Sequence, residues 1–124
     1  MSAATPVDGN LKNELGRKKD QLQLFPVAGI REGATAMVEG AGKYGPFNWR
    51  YGRVELMQYV GAVLRHAYAI ADGEWIDSES AVGKTHLAGI LASAAIIADA
   101  KESSVLDLKG WPGDTEEFLR DIPS

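Results

Sequence analysis

The stretch RVELMQYVGAVLRHAYAIAD, residues 53–72, decides the fold because it predicts the strongest amphipathic helix of the chain. At about 100° of rotation per residue, its apolar side chains fill one broad face. These side chains are Leu56, Tyr59, Val60, Val63, Leu64, Ala67, Ile70 and Ala71. Gly73 follows at the position where a glycine commonly ends a helix. A helix with one apolar face must bury it against a neighbour, so the stretch predicts a packed helical domain.

A second helix, predicted over residues 85–100, is apolar almost all round, which is typical of a buried central helix. Its narrow polar strip consists of His86, Gly89 and Ser93. No segment shows the alternation of a β-strand. We therefore predict an all-α fold, a small bundle of about four helices. The central helix is too apolar for a lone small bundle, so we expect the fold to be completed by oligomerisation.

Nearer the N-terminus, Pro26 suits the start of a helix whose apolar residues recur every three or four positions. The stretch GAGKYGPFNWRYG, residues 40–52, predicts a glycine-rich loop with four aromatic side chains. A short last helix is predicted to begin near Asp114. The chain thus divides into a flexible arm (1–20), a helical domain (21–100) and an acidic segment (101–124).

Composition excludes several classes of protein. The 124 residues suit one domain, and 13 basic against 17 acidic side chains give a net charge of −4 and a pI near 5.1. The acidic balance argues against binding DNA or RNA polymers. The absence of cysteine excludes disulfides, thiolate metal sites and a cysteine nucleophile. The most apolar stretch, residues 87–98, is too short to span a membrane, and the polar N-terminal residues do not form a signal peptide. We expect a cytoplasmic protein.

Two stretches resemble nucleotide-binding motifs but lack features that those motifs need. Residues 40–45 read G-x-G-x-x-G, but a predicted helix rather than a strand precedes them. Residues 83–85 read GKT, but a P-loop needs a glycine where the chain has Ser78. Neither match predicts a nucleotide site.

Three carboxylates, Glu74, Asp77 and Glu79, lie between the two strongest helices. Such oxygen donors suit Mg²⁺ or Mn²⁺, although a solvated acidic loop is the alternative. His66 and His86 flank the three in sequence, and each could instead be a packing or surface residue.

Cations and aromatic side chains accompany the glycine-rich loop. Lys43, Arg50, Arg53 and Arg65 could bind phosphate oxygens. Asn48 suits a base edge, and Tyr44 and Trp49 could stack on a base. Alternatively, these side chains attach the loop to the helices.

Together these residues resemble the dATP/dGTP diphosphohydrolase (MazZ-like) domain family of phage and bacterial proteins, which is akin to the MazG-like all-α nucleotide pyrophosphohydrolases. The resemblance covers about residues 17–100. It is carried by KYG (43–45), NW (48–49), RH (65–66), GE-x-x-D-x-ES (73–80) and HLA (86–88).

The resemblance implies cleavage of a purine dNTP to the monophosphate and pyrophosphate, dependent on Mg²⁺ or Mn²⁺. It implies Glu74, Asp77 and Glu79 as metal ligands, and His66, Glu74 and His86 as catalytic residues. Nucleotide-binding residues would be Lys43, Tyr44, Asn48, Trp49 and Arg65. In the MazG-like families a partner subunit completes the helical core, which also favours a homo-oligomer.

The chain departs from the family pattern at two positions of the polar strip. Family members commonly carry His and Asn where this chain has Gly89 and Ser93, and their connector before His86 is shorter. The enzyme therefore has an alternative on the same scaffold, a non-catalytic protein that sequesters a nucleotide signal, as a phage anti-defence protein would. A plain protein-interaction bundle is the third hypothesis.

Overall fold

The computed structural model describes residues 9–121, and nearly all of its regular structure is helical. The helices of this part of the chain are α1 (Leu11–Gly16), α2 (Val27–Tyr44), α3 (Leu56–Ala71), α4 (His86–Glu102) and α5 (Thr115–Asp121). Short 3-10 turns cover Leu22–Leu24 and Asn48–Arg50. The predicted all-α class is confirmed.

Helix α4 lies at the centre and packs against both α2 and α3. Small residues make this packing close, because Ala88, Gly89, Ala92 and Ala100 are the buried apolar positions of α4. On α2, Gly33 approaches so closely that a Cβ added there would lie 3.2 Å from the Cβ of Leu91. The predicted central helix is therefore confirmed, and its small side chains let both neighbours approach its backbone.

The structure contains two short strands that no alternating pattern in the sequence indicated. β1 (Val54–Glu55) and β2 (Leu106–Asp107) pair in parallel, with Val54 opposite Leu106. Val54 is only 1% exposed, so the pair closes one end of the α3–α4 unit. Two residues are too few to show an alternating pattern, and sequence periodicity therefore missed them.

The predicted loop over residues 40–52 is wrong in its first part, because α2 continues to Tyr44. A Cβ added at Gly40 or Gly42 would meet no other part of the protein within 4 Å, so packing does not require glycine there and these residues weaken helix propensity. An ion pair one turn apart, Glu39 with Lys43 at 3.2 Å, supports this last stretch. The helix ends at Gly45, whose φ of 86° suits a glycine.

The remainder of this loop, residues 45–52, is called the aromatic loop below. Asp99 holds it on α4. Oδ2 of Asp99 accepts the indole N–H of Trp49 at 2.8 Å, and its two oxygens pair with the guanidinium of Arg50 at 2.8 and 3.1 Å. These bonds from Arg50 and then Trp49 lower the pKa of the Asp99 carboxyl. The aromatic loop is therefore attached to the bundle by a charge-assisted contact.

A short helix lies near each end of the described residues. The short last helix is confirmed as α5, with Asp114 accepting the N–H of Glu116 at 2.9 Å. Helix α1 falls inside the predicted arm and is almost wholly exposed. Residues 1–8 and 122–124 lie outside the described residues, and the domain boundaries remain predictions. No helix within residues 9–121 is long and apolar enough to cross a membrane.

We expect Asp99→Ala to release the aromatic loop, because Trp49 and Arg50 both lose their acceptor. The free energy of unfolding should fall by about 1–2 kcal/mol, since the contact is charge-assisted but partly exposed. Chemical denaturation measures this fall, and limited proteolysis should cut near residues 45–52. Asp121→Ala is the matched control, because its pair with Lys101 is more exposed. Equal stability and equal cleavage of the two variants would refute the attachment.

Candidate functional site

The acidic connector between α3 and α4 is folded back on itself rather than solvated throughout. Ile76 and Thr85 form an antiparallel bridge, and the N–H of Asp77 donates to the carbonyl of Lys84 at 2.9 Å. As a result Asp77 is only 7% exposed, whereas Glu79 is exposed. The register of this small hairpin therefore separates two carboxylates that look alike in the sequence.

Two glutamates of α2 hold the connector against the bundle. The hydroxyl of Thr85 donates to Glu32, and the hydroxyl of Ser80 donates to Glu39. The bond from Ser80 is the main reason that the pKa of Glu39 is lowered. Sequence reasoning missed both glutamates, although their spacing of seven residues places them on one helix face.

A chain of hydrogen bonds links Glu74, His86 and His66. Nε2 of His86 lies 2.8 Å from Oε1 of Glu74, and the Nδ1 atoms of the two imidazoles are 2.9 Å apart. Because a carboxylate accepts, Nε2 of His86 carries the proton. In neutral His86, Nδ1 then has a free lone pair and accepts the Nδ1–H of His66. The bond from His86, followed by the N–H of Ser78, lowers the pKa of Glu74.

His66 lies directly over Gly89 of α4. A Cβ at position 89 would lie 2.5 Å from Nε2 of His66, so only glycine leaves room for the ring. Burial, and next the charge of Lys84, lower the pKa of His66, which keeps this imidazole neutral at neutral pH. Gly89, one of the two departures from the family pattern, is thus the residue that the imidazole of His66 requires at this position.

A metal-capable group is formed by His66, Asp77 and His86. Among residues 9–121 it is the only such group of three, and its ligand atoms all lie within 4.8 Å of one another. The two imidazole nitrogens favour a transition ion over Mg²⁺, and the carboxylate is the kind of donor that Mn²⁺ shares with Mg²⁺. The donor types therefore fit a divalent ion.

The geometry differs from the expected set of three carboxylates, of which this group contains only Asp77. Glu74 is instead the hydrogen-bond partner of His86. Glu79 reaches the group through its backbone, whose N–H donates to Oδ1 of Asp77 at 2.9 Å. Since the connector turns Glu79 outward, the three carboxylates do not meet at one point.

Lys84 is the cation at this group. Its Nζ lies 2.7 Å from Oδ2 of Asp77, and both side chains are largely buried. Burial alone would raise the pKa of Asp77, but the bonds from Lys84 and from the N–H of Glu79 hold it below its usual value. In the sequence Lys84 stood out only as part of the rejected GKT match.

A cleft of about 510 Å³ lies between α2, α3, α4 and the aromatic loop. Four of the predicted nucleotide-binding residues line it, namely Lys43, Tyr44, Asn48 and Trp49. His66 and Lys84 also line it, and they connect the cleft to the metal-capable group. The cleft can therefore present cations and an exposed tyrosine to an anionic ligand with a flat ring.

Arg65 is not part of the cleft wall, although it was predicted to bind phosphate. It is exposed on α3, with its guanidinium 3.2 Å from where a Cβ on Gly61 would stand. The residue next to it, His66, is the one that faces α4, because neighbouring positions on a helix point about 100° apart.

We expect Gly89→Ala to disrupt the imidazole pair, because the added methyl group would overlap the ring of His66. Overpacking of this kind should lower the free energy of unfolding by about 1–3 kcal/mol. Gly42→Ala is the control, since nothing lies near Gly42 and alanine should stabilise α2 by about 0.5–1 kcal/mol. Urea denaturation compares them, and a Gly89→Ala protein as stable as the parent would contradict the packing.

Comparison with known proteins gives one family match. Residues 10–107 match the family described as dATP/dGTP diphosphohydrolase, N-terminal. No curated protein and no solved structure gives a significant match. The matched range holds α2, α3, the connector and α4, and so it includes the whole metal-capable group and the cleft. The chain belongs to the dATP/dGTP diphosphohydrolase N-terminal domain family.

Proposed function

We propose that the protein is a divalent-metal-dependent pyrophosphohydrolase that cleaves a purine dNTP, such as dATP or dGTP, to the monophosphate and pyrophosphate. The observation that carries the proposal is the cleft, which joins two lysines and an exposed tyrosine to the His66–Asp77–His86 group. The family description supports the substrate class.

Different residues of the cleft would contact different parts of the nucleotide. Lys43 is half-exposed at the cleft, and its pair with Glu39 raises its pKa, so it presents a full positive charge to phosphate oxygens. Tyr44 is 69% exposed and offers its ring to the base. Asn48 supplies a donor and an acceptor for a base edge or the sugar. The indole N–H of Trp49 is already bound to Asp99, so Trp49 contributes its ring as wall.

His66, Asp77 and His86 would hold the ion. When bound, the ion would neutralise the triphosphate and activate water for attack on phosphorus. Glu74 acts as a positioning residue, because its hydrogen bond puts the proton of His86 on Nε2 and leaves Nδ1 as the ligating atom. The hydrogen bond that Nδ1 accepts from His66 would there be replaced by the ion. Glu74 therefore contributes through His86 rather than as a ligand.

The test is incubation of the purified protein with dNTPs and NTPs and either Mn²⁺ or Mg²⁺, with products resolved by ion-exchange chromatography. We expect pyrophosphate and a purine monophosphate, with Mn²⁺ the better ion. Asp77→Asn should lower turnover by about 100-fold or more, because it removes the only carboxylate ligand. Asp72→Asn, an exposed position, is the matched control. Normal turnover by Asp77→Asn would refute the metal site, and nucleotides retained but returned intact would identify a binder instead.

We also propose that the protein is a homo-oligomer. Large apolar side chains of α2 lie exposed, with Val27 54% and Val38 73% exposed. An apolar groove between α2 and α4 runs beside Phe25 and Ile30, both more than half exposed. Exposed apolar side chains around a groove are typical of an interaction surface, and a second copy would cover this one.

Light scattering should give at least twice the monomer mass of 13.3 kDa. Ile30→Glu should shift the protein towards the monomer, because a charge cannot be buried unpaired at an interface. Leu119→Glu, on α5 and away from the groove, is the control. A parent protein that is strictly monomeric would exclude the assembly.

A further inference from the structure

We propose that the ammonium group of Lys84 competes with the divalent ion for Asp77, so that Lys84 sets the affinity of the His66–Asp77–His86 group for the ion. The inference rests on the proposed function, because it concerns the ion of that same site. Once the ion has displaced the ammonium group of Lys84, this group would take a second position, in the cleft.

The competition follows from how the two oxygens of Asp77 are used. Oδ1 accepts the N–H of Glu79 at 2.9 Å, and Oδ2 lies 2.7 Å from Nζ of Lys84. A divalent ion bound to Oδ2 would stand beside the ammonium group, and their like charges repel strongly at this depth. The two cations therefore compete for Oδ2, and the binding of one disfavours the other.

The backbone of Lys84 cannot leave with its side chain. Its N–H donates to Oγ of Ser80 at 3.0 Å, and its carbonyl accepts the N–H of Asp77. Ser80 is in turn held by Glu39 of α2. Only the flexible stem of Lys84 can move, and the side chain lines the cleft. A displaced ammonium group therefore moves into the space where the phosphates of a nucleotide would lie.

The displacement would couple the two ligands. A divalent ion at Asp77 releases a cation to the cleft, and that cation favours an anionic nucleotide. A nucleotide that binds the released ammonium group favours the ion by the same factor, because binding coupling is reciprocal. Ion and nucleotide would therefore bind cooperatively even before the ion touches a phosphate.

The direct test is titration with Mn²⁺ in the absence of nucleotide, with free Mn²⁺ counted by electron paramagnetic resonance. We expect Lys84→Met to bind Mn²⁺ about tenfold more tightly than the parent protein, within the usual range of such couplings. Lys43→Met is the matched control, since it removes the same charge from the same cleft but from a lysine that pairs with Glu39. Unchanged or weaker binding by Lys84→Met, or equal tightening by Lys43→Met, would overturn the proposal.

A second measurement needs no variant and so does not depend on the folding of Lys84→Met. Acylation of lysine amines, quantified by peptide mass spectrometry, should increase at Lys84 when Mn²⁺ is added, with Lys101 as the internal reference. Mn²⁺ binding without increased labelling of Lys84 would overturn the competition alone and leave the metal site intact. Absence of Mn²⁺ binding in the parent and in both variants would overturn the competition together with the metal part of the proposed function.

Discussion

The close approach of α3 to α4 at Gly89 is the constraint on which the site depends. The imidazole of His66 occupies the space that any side chain at position 89 would fill. Only there can it meet His86, the first residue of α4, and through His86 reach Glu74. The small residues that make α4 a good central helix are thus also what allows a polar group to sit inside the bundle. In this fold, packing density and chemistry are set by the same positions.

The buried polar groups of the site are satisfied by partners from three different parts of the chain. Within residues 9–121, no buried side-chain nitrogen or oxygen lacks a hydrogen-bond partner. Glu32 and Glu39 from α2 hold the connector, and the connector holds Asp77 and Lys84 against each other. Since an unpaired buried charge is costly, each contact depends on the others being present. The connector is for that reason packed into the site rather than laid over it as a loop.

The sequence was sufficient for the two long helices that form the centre of the bundle. The 3.6-residue pattern located α3, the long apolar run located α4, and Gly73 and Thr85 marked a helix end and a helix start. It was not sufficient where packing overrides propensity, as in the glycine-containing end of α2. Nor could it distinguish Asp77 from Glu79, because their different burial comes from the pairing of Ile76 with Thr85.

Some residues predicted to bind nucleotide lie together in the structure, and one does not. Lys43, Tyr44, Asn48 and Trp49 do share one cleft, since three of the four lie within or directly beside the aromatic loop that α4 holds. Arg65 does not line it, because a shift of one residue along a helix changes the face. Their roles in binding remain predictions.

The parallel pair of β1 and β2 has a consequence for the order in which the chain assembles. By joining Val54 to Leu106 it encloses α3, the connector and α4 in one closed segment, to which α2 is added from outside. Such a segment is a natural cooperative folding unit. Helix α2, which carries Glu32, Glu39 and Lys43, would then be the last of these helices to dock and the first to undock. Local unfolding would accordingly begin with the separation of α2, which forms one wall of the cleft, while the imidazole pair stays in place.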